Sequence, residues 1–171
     1  MSDSDTLPEP WLRGTLTDVA SVQRAVLHAL ELSEEDLGKW CGSLSDADLN
    51  ARPAGLPSVA FHLRHIARSV DRLLTYVESQ QLSLEQLAAL KTESEPAATR
   101  EELFAELETA FREAARRIRA FAASQLEEGR KVGKKQFPTT VAGLLVHVAD
   151  HTQRHTGQAV TTSKAVLAGC K

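Results

Sequence analysis

The chain has 171 residues, of which 42% are hydrophobic, so it is long enough to form one domain with a substantial core. Its formal net charge is −3, and its 20 basic and 23 acidic residues are intermixed, which predicts no nucleic-acid partner. No apolar segment approaches the roughly 20 residues that cross a bilayer, and MSDSDTLPEP does not resemble a signal peptide, so we expect a cytoplasmic protein with no membrane partner.

The first long helix is predicted over residues 17–43. Its apolar residues recur at spacings of three and four, or their sums, from Val19 to Leu44, with an interruption at Ser33. The Ser, Asp, Pro and Gly residues of SLSDADLNARPAG predict the end of this helix, with room for one helical turn at residues 46–49.

The second and third long helices are predicted over residues 58–79 and 99–125. Ser58 follows a proline and is the expected N-cap of the second helix. SLEQLAAL predicts a short helix, and the polar KTESEPAA predicts a loop. TREE at Thr99 fits a capping box that begins the third long helix. The residues of this helix that we expect to be buried are Phe104, Phe111, Ile118 and Phe121.

The last long helix is predicted over residues 139–166. EEGRKVGKKQFP is expected to be an irregular connection to it, and the arginines of REAARR are expected to form a solvated face. Four amphipathic segments and no convincing strand predict an all-α fold, a four-helix bundle. We assign this domain to residues 15–168 and an N-terminal extension to residues 1–14.

The two cysteines do not indicate a disulfide framework, because they are far apart and neither has a CxxC partner. Cys41 lies in the first predicted helix and is expected to be a small core or boundary residue rather than a nucleophile. Cys170 lies one residue from the end of the sequence and is expected to be frayed.

Three histidines follow one another at intervals of four residues in HVADHTQRH, namely His147, His151 and His155. Since a helix advances about 100° per residue, His151 and His155 lie within about 40° of each other on the apolar stripe, and His147 lies at its edge. Two imidazoles at this spacing present nitrogens to one point, as in zinc-binding helices. Spacing alone leaves a metal site and hydrogen-bonded core histidines equally open.

A third nitrogen ligand is available from FHLRHIA in the second helix, which contains His62 and His65. Periodicity favours His62 as the inward residue, because it lies about 40° from Ile66 whereas His65 lies about 100° away. Three imidazoles would form a site with open positions that suits zinc, nickel or iron(II). His28 is isolated in the first helix and is expected at the surface or its boundary.

SVAFHLRHIARSVDRLLTY and TVAGLLVHVADHTQRHTGQ together resemble the DinB-like superfamily, over roughly residues 15–165. The resemblance implies a four-helix bundle of up-up-down-down type in which three histidines bind a divalent metal. Its motifs match His65 in HIA and the pair His151 and His155. The usual continuation HRGQ is HTGQ here, with Thr156 in place of arginine.

The resemblance also places other residues near the metal. It favours His65 over His62 as the ligand, which leaves His62 as a residue of the pocket or one that supports the ligands. His147 and Gln158 are candidates for the same role.

The functions of the superfamily suggest thiol chemistry. Some members transfer bacillithiol or mycothiol to electrophiles, and one branch isomerises maleylpyruvate. The resemblance therefore implies a divalent metal, a low-molecular-weight thiol as cosubstrate, a small-molecule substrate and a homodimer. The expected function is a metal-dependent thiol S-transferase or related detoxification enzyme. The alternative is a non-catalytic stress-response protein whose metal site is structural.

Overall fold

Helices make up most of the computed structural model, which describes residues 7–96 and 98–169. The helices are α1 (Ser21–Cys41), α2 (Asp46–Asn50), α3 (Val59–Val77), α4 (Leu84–Lys91), α5 (Arg100–Arg119) and α6 (Val141–Leu167). Short 3-10 turns occur at Pro10–Leu12, Pro53–Gly55 and Ala123–Gln125. The long helices α1, α3, α5 and α6 confirm the predicted all-α bundle. Cys170 lies outside the described residues.

Side-chain caps define where several of these helices begin, as their sequences predict. The Ser58 hydroxyl accepts a hydrogen bond from the backbone N–H of Phe61 at 3.1 Å, which caps α3. Thr99 and Glu102 form the predicted reciprocal capping box of α5. Each cap satisfies backbone donors that the first helical turn leaves unpaired, so the start of the helix is fixed locally.

Helices α1 and α6 pack side by side and run in the same direction. The Gln153 side chain donates to the backbone oxygen of Ala29 at 2.7 Å. About three helical turns further along both helices, the Ser163 hydroxyl donates to the backbone oxygen of Trp40 at 2.6 Å. Residue numbers therefore increase together along the two helices.

Helix α3 also packs against α6 and runs antiparallel to it. His65 of α3 lies beside His151, with 3.0 Å between their Nε2 atoms. Before the start of α3, the backbone oxygen of Pro57 accepts from the Thr162 hydroxyl at 3.4 Å. Lower numbers on α3 thus face higher numbers on α6, so the antiparallel pair brings His65 to the histidines of α6.

Helix α5 closes the bundle and runs antiparallel to α1. The Gln23 side chain, at the start of α1, donates to the backbone oxygen of Phe121 at 2.6 Å. Arg100, at the start of α5, donates to the backbone oxygen of Gly42 at 2.8 Å. The long helices therefore run up, down, down and up, and the expected up-up-down-down order is wrong. Capping and periodicity define each helix, but direction depends on how the connections cross the bundle.

The apolar face of α5 is buried at its centre and partly exposed at its ends. Phe111 and Ile118 are buried as predicted, whereas Phe104 and Phe121 are only partly buried against the core. Phe104 lines a surface cleft together with Gly38 of α1 and Gly42, the residue that follows this helix. Neither glycine has a side chain to cover the phenyl ring. Phe121 lies beyond the end of α5. The prediction of full burial is therefore wrong for both.

A β-hairpin occupies part of the connection that was expected to be irregular. Its strands are β1 (Gly129–Val132) and β2 (Phe137–Thr140), which pair antiparallel with Gly129 opposite Thr140. The turn contains two residues with positive φ, Gly133 at 67° and Gln136 at 54°. The strands have four residues each, GRKV and FPTT, and no buried face. Their sequences therefore lack the alternation of apolar and polar residues from which a strand is recognised.

Helix α1 is continuous, as predicted, but the expectation that His28 lies at the surface or its boundary is wrong, because polar side chains find partners inside the bundle. Helix α1 continues through Ser33, whose hydroxyl donates to the backbone oxygen of Ala29 at 3.0 Å and accepts from Gln153 at 2.9 Å. His28 is buried, with its Nε2 atom 3.0 Å from the hydroxyl of Thr15. Both residues face neighbouring segments rather than water.

Arg117 does not belong to the solvated face predicted for the arginines of α5. Its side chain is buried, and its guanidinium lies 2.7 Å from carboxylate oxygens of both Asp71 and Glu78 on or beside α3. Arg112 and Arg116 are exposed, as expected. The helical pattern cannot distinguish Arg117 from them, because its partners come from another helix.

The described part of the N-terminal extension lies along α1. Arg13 donates to the carboxylate of Glu35 at 2.6 Å and of Glu31 at 3.0 Å. Trp11 is 62% exposed, and its ring N–H donates to Glu9. The expected homodimer and the domain boundary at residue 14 stay predictions. In the described part of the chain, every helix is too short or too polar to cross a bilayer.

Candidate metal centre

The three histidines matched by the sequence motifs meet between α3 and α6. His65, His151 and His155 each offer one ring nitrogen, and these atoms all lie within 4.8 Å of one another. His151 and His155 point to the same place because they are one helical turn apart. His65 reaches the same point from the antiparallel helix, so the backbone arrangement brings together residues that lie far apart in the sequence.

The three rings pack closely and lie at the edge of the bundle. The centroids of His65 and His155 are 4.3 Å apart, and those of His151 and His155 are 4.6 Å apart. Phe61 stacks on His65 at 5.3 Å with nearly parallel rings. All three histidines are partly buried. One side of the cluster is therefore in contact with protein and another is open to small molecules.

Burial keeps the imidazoles of His151 and His155 neutral. Desolvation, reinforced by the neighbouring histidines, lowers the pKa of both His151 and His155 to about 4. At neutral pH each ring therefore carries one unprotonated nitrogen, which is the form that binds a metal. Neutral nitrogen donors suit zinc, nickel or iron(II) better than calcium or magnesium. The residues present thus fit a divalent transition metal.

A buried carboxylate contacts the ring nitrogen of His65 that does not face His151. The Oε2 atom of Glu93 lies 2.7 Å from Nδ1 of His65, and its Oε1 atom accepts from Arg72 at 2.6 Å. Burial raises the pKa of the Glu93 carboxyl, but the hydrogen bonds from His65 and Arg72 outweigh burial and lower it. The sequence analysis missed Glu93, since nothing distinguishes it from the other glutamate of the polar loop KTESEPAA.

His62 is the inward residue of α3, as periodicity predicts, but it is not part of the three-nitrogen cluster. Its side chain is buried, and its Nδ1 atom lies 3.2 Å from Nδ1 of His155. Burial lowers the pKa of His62 to about 4, so it too is neutral. Its Nε2 atom is buried and has no hydrogen-bond partner among the described residues.

The other two residues expected near the site occupy different surroundings. Gln158 and His62 line a cleft of about 280 Å³. The remaining residues of this cleft are Leu56, Pro57, Arg154, Gly157, Thr161 and Thr162. His147 is half exposed, and its Nδ1 atom lies 3.6 Å from the carboxylate of Asp150. Gln158 therefore borders the site through His62, whereas His147 lies at the exposed edge of α6 with its ring centroid 5.6 Å from that of His151.

Cys41 is placed as a core residue, as expected. It is fully buried, and burial raises the pKa of its thiol to about 11. At neutral pH the thiol is therefore protonated and inaccessible, which are the properties of an unreactive cysteine. Cys41 is therefore not a candidate nucleophile for chemistry at the histidine cluster.

We expect Cys41 to resist alkylation while the protein is folded. In a Cys170→Ser variant, iodoacetamide at pH 8 should leave Cys41 unmodified, because its thiolate fraction rises only as the pH approaches about 11. The same reagent in concentrated urea should modify it fully. Mass spectrometry of the alkylated protein measures both results. Complete modification of the folded protein within minutes at pH 8 would contradict this assignment.

The fold and the site together define a class of protein, a helical bundle with a three-histidine cluster that could hold a metal ion. The family model of the DinB superfamily matches residues 29–159. The chain therefore belongs to the DinB superfamily. The resemblance seen in the histidine motifs is thus confirmed over most of the chain.

One solved structure similar to the chain is the "conserved protein of locus from Enterococcus faecalis". The similarity has a TM-score of 0.72 at 21% sequence identity, and it covers 88% of this chain and 99% of that one. At this identity the likeness concerns the fold alone. Among curated proteins, none matches the sequence.

Proposed function

We propose that His65, His151 and His155 bind one divalent metal ion and that the protein is a metal-dependent thiol S-transferase or a related detoxification enzyme. The observation that carries this proposal is the number and exposure of the ligands. The cluster contains three imidazoles among the described residues, all partly exposed. Catalytic zinc sites have three protein ligands and an open position, whereas structural sites have four.

The reaction class follows from what such a site can supply. A divalent ion held by the three imidazoles would supply Lewis-acid activation, which would lower the pKa of a thiol or a water molecule bound to it. In the proposed transfer, the thiol sulfur forms a bond to an electrophilic carbon and the bond from that carbon to its leaving group breaks. The thiol proton departs with the leaving group, so atoms and charges balance without an oxidant or reductant.

The cleft beside His62 supports a small-molecule substrate with a hydrogen-bond acceptor. His155 contacts His62 through Nδ1, which leaves its Nε2 atom for the metal. A neutral His155 bound through Nε2 carries its hydrogen on Nδ1 and donates to His62. His62 must then carry its own hydrogen on Nε2, the atom without a partner. Because that atom is buried, the donors that a substrate in this cleft would meet are the side chains of Arg154 and Gln158.

The alternative is a metal-binding stress protein without turnover. A structural metal would require a fourth protein ligand. The nearest buried carboxylate, Glu93, is already bonded to His65 and Arg72. The partly exposed cluster therefore supports the enzyme over the structural site.

The test combines metal analysis with an activity assay. Protein purified without a nickel column should contain about one divalent metal per chain by elemental analysis. We expect it to join a low-molecular-weight thiol to monochlorobimane, with a panel of bacillithiol, mycothiol, glutathione, coenzyme A and cysteine as thiols. Chelation should abolish the reaction and added metal should restore it.

The other outcomes distinguish the two functions. Stoichiometric metal without turnover of any thiol in the panel supports the structural alternative. Protein that neither contains metal nor takes it up after purification contradicts both. The His151→Ala variant is the matched control, since thiol transfer that persists in it does not arise at the histidine cluster.

A further inference from the structure

One carboxylate joins two side chains of α3 that lie two helical turns apart. His65 and Arg72 are separated by seven residues, so they project from the same face of the helix. The two oxygens of Glu93 lie along this face, with Oε2 at 2.7 Å from His65 and Oε1 at 2.6 Å from Arg72. Glu93 itself comes from the loop after α4, and this bridge fixes the loop against α3.

The bridge determines which nitrogen of His65 carries hydrogen. An ionised carboxylate only accepts hydrogen bonds, so the contact requires a hydrogen on Nδ1. In a neutral ring, Nε2 then has a free lone pair. That atom is the one that faces the cluster, where it lies 3.0 Å from Nε2 of His151. The carboxylate therefore selects both the tautomer and the orientation that a metal ligand needs.

Arg72 explains how the carboxylate can be buried in this place. Glu93 is 4% exposed and Arg72 is 8% exposed, so both charges have lost most of their hydration. A buried charge is tolerated when it is paired and hydrogen-bonded, and here each group pairs with the other. Arg72 thus holds Glu93 ionised and in place, and Glu93 in turn holds His65.

We propose that Glu93, anchored by Arg72, is the positioning residue of the metal centre and presents Nε2 of His65 to the ion. This inference rests on the proposed function, because it assumes that the cluster binds a metal. Carboxylates that orient a ligating histidine typically contribute about 10- to 100-fold in metal affinity. Glu93 acts through His65 and contacts neither metal nor substrate.

The test compares zinc affinity in Glu93→Gln and Glu93→Ala, measured by competition with a chelating dye. The Gln side chain retains an oxygen that accepts from His65 but loses the charge, so we expect affinity to fall about 10-fold. The Ala variant loses the contact altogether, and affinity should fall about 100-fold. Wild-type affinity in both variants would overturn the inference.

A matched control separates positioning from a general loss of charge. Glu106 also pairs with an arginine of α3, at 2.7 Å from Arg68, but it contacts none of the histidines in the cluster. Glu106→Gln should therefore bind zinc as tightly as the wild type. Circular dichroism of each variant verifies that its helices are retained. A fall in Glu106→Gln equal to that in Glu93→Gln would overturn the inference.

A second readout uses metal-free protein, so it does not depend on the proposed function. Nitrogen NMR of the His65 ring should show hydrogen on Nδ1 in the wild type and a shift towards the Nε2–H tautomer in Glu93→Ala. The Nε2–H tautomer in the wild type would overturn the inference. If the wild type binds no metal, the proposed function fails, and the tautomer of His65 still decides whether Glu93 orients this ring.

Discussion

Replacing His151 or His155 with alanine is expected to remove nearly all bound metal. The two rings lie 4.6 Å apart between centroids because one helical turn separates them, and each supplies one of the three nitrogens of the cluster. Two remaining imidazoles hold a divalent ion poorly. The loss of affinity should therefore exceed the roughly 10- to 100-fold that follows from losing a supporting partner. Elemental analysis after dialysis measures the metal that each variant retains.

His147 provides the matched control, since it is a third histidine on the same helix. Its side chain is 47% exposed and lies beside Asp150 rather than in the cluster. His147→Ala should therefore keep most of the metal. Full metal in both His151→Ala and His155→Ala would show that the site is elsewhere.

The choice between the two histidines of α3 is decided by the same measurement. His65→Ala should lose metal, because its Nε2 atom faces the cluster. His62→Ala should retain more, because His62 contacts His155 through Nδ1 and is not one of the three converging nitrogens. The reverse result would mean that periodicity, which selects the inward histidine, identifies the ligand better than the motif.

The parts of this molecule that sequence predicts are those encoded within one or two helical turns. Ser58 and Thr99 begin their helices through contacts three residues away, and the spacing of His151 and His155 places them on one face. These relations require no knowledge of the rest of the fold. They were sufficient to predict the bundle and to identify the histidine pair.

Contacts between distant segments account for most of what the sequence did not reveal. Glu93 meets His65 across 28 residues, and Arg117 meets Glu78 across 39. Each looks like an ordinary charged residue in its local sequence. The direction of α3 and α5 has the same origin, because it follows from where the connections lead rather than from any helical pattern. His65 itself was found by motif, since periodicity alone points to His62.

Truncating Leu145 to alanine is expected to cause one of the largest losses of stability in the chain. Helix α6 packs against both α1 and α3, and Leu145 is fully buried on it. Removing a buried leucine side chain leaves a cavity and lowers the free energy of unfolding by about 2–5 kcal/mol. Urea denaturation of the metal-free protein, followed by circular dichroism, measures this change without any contribution from bound metal.

The neighbouring Val146 is a stringent control for Leu145, because it occupies the same helix and is 55% exposed. Val146→Ala should change the free energy of unfolding by no more than about 0.5 kcal/mol, as surface substitutions generally do. Equal effects at the two positions would contradict the packing described for α6.

Because α6 holds His151 and His155, added zinc should raise the unfolding midpoint of Leu145→Ala as it does that of the wild type. A metal that binds only the folded state stabilises it even when the free energy of unfolding of the metal-free protein is reduced.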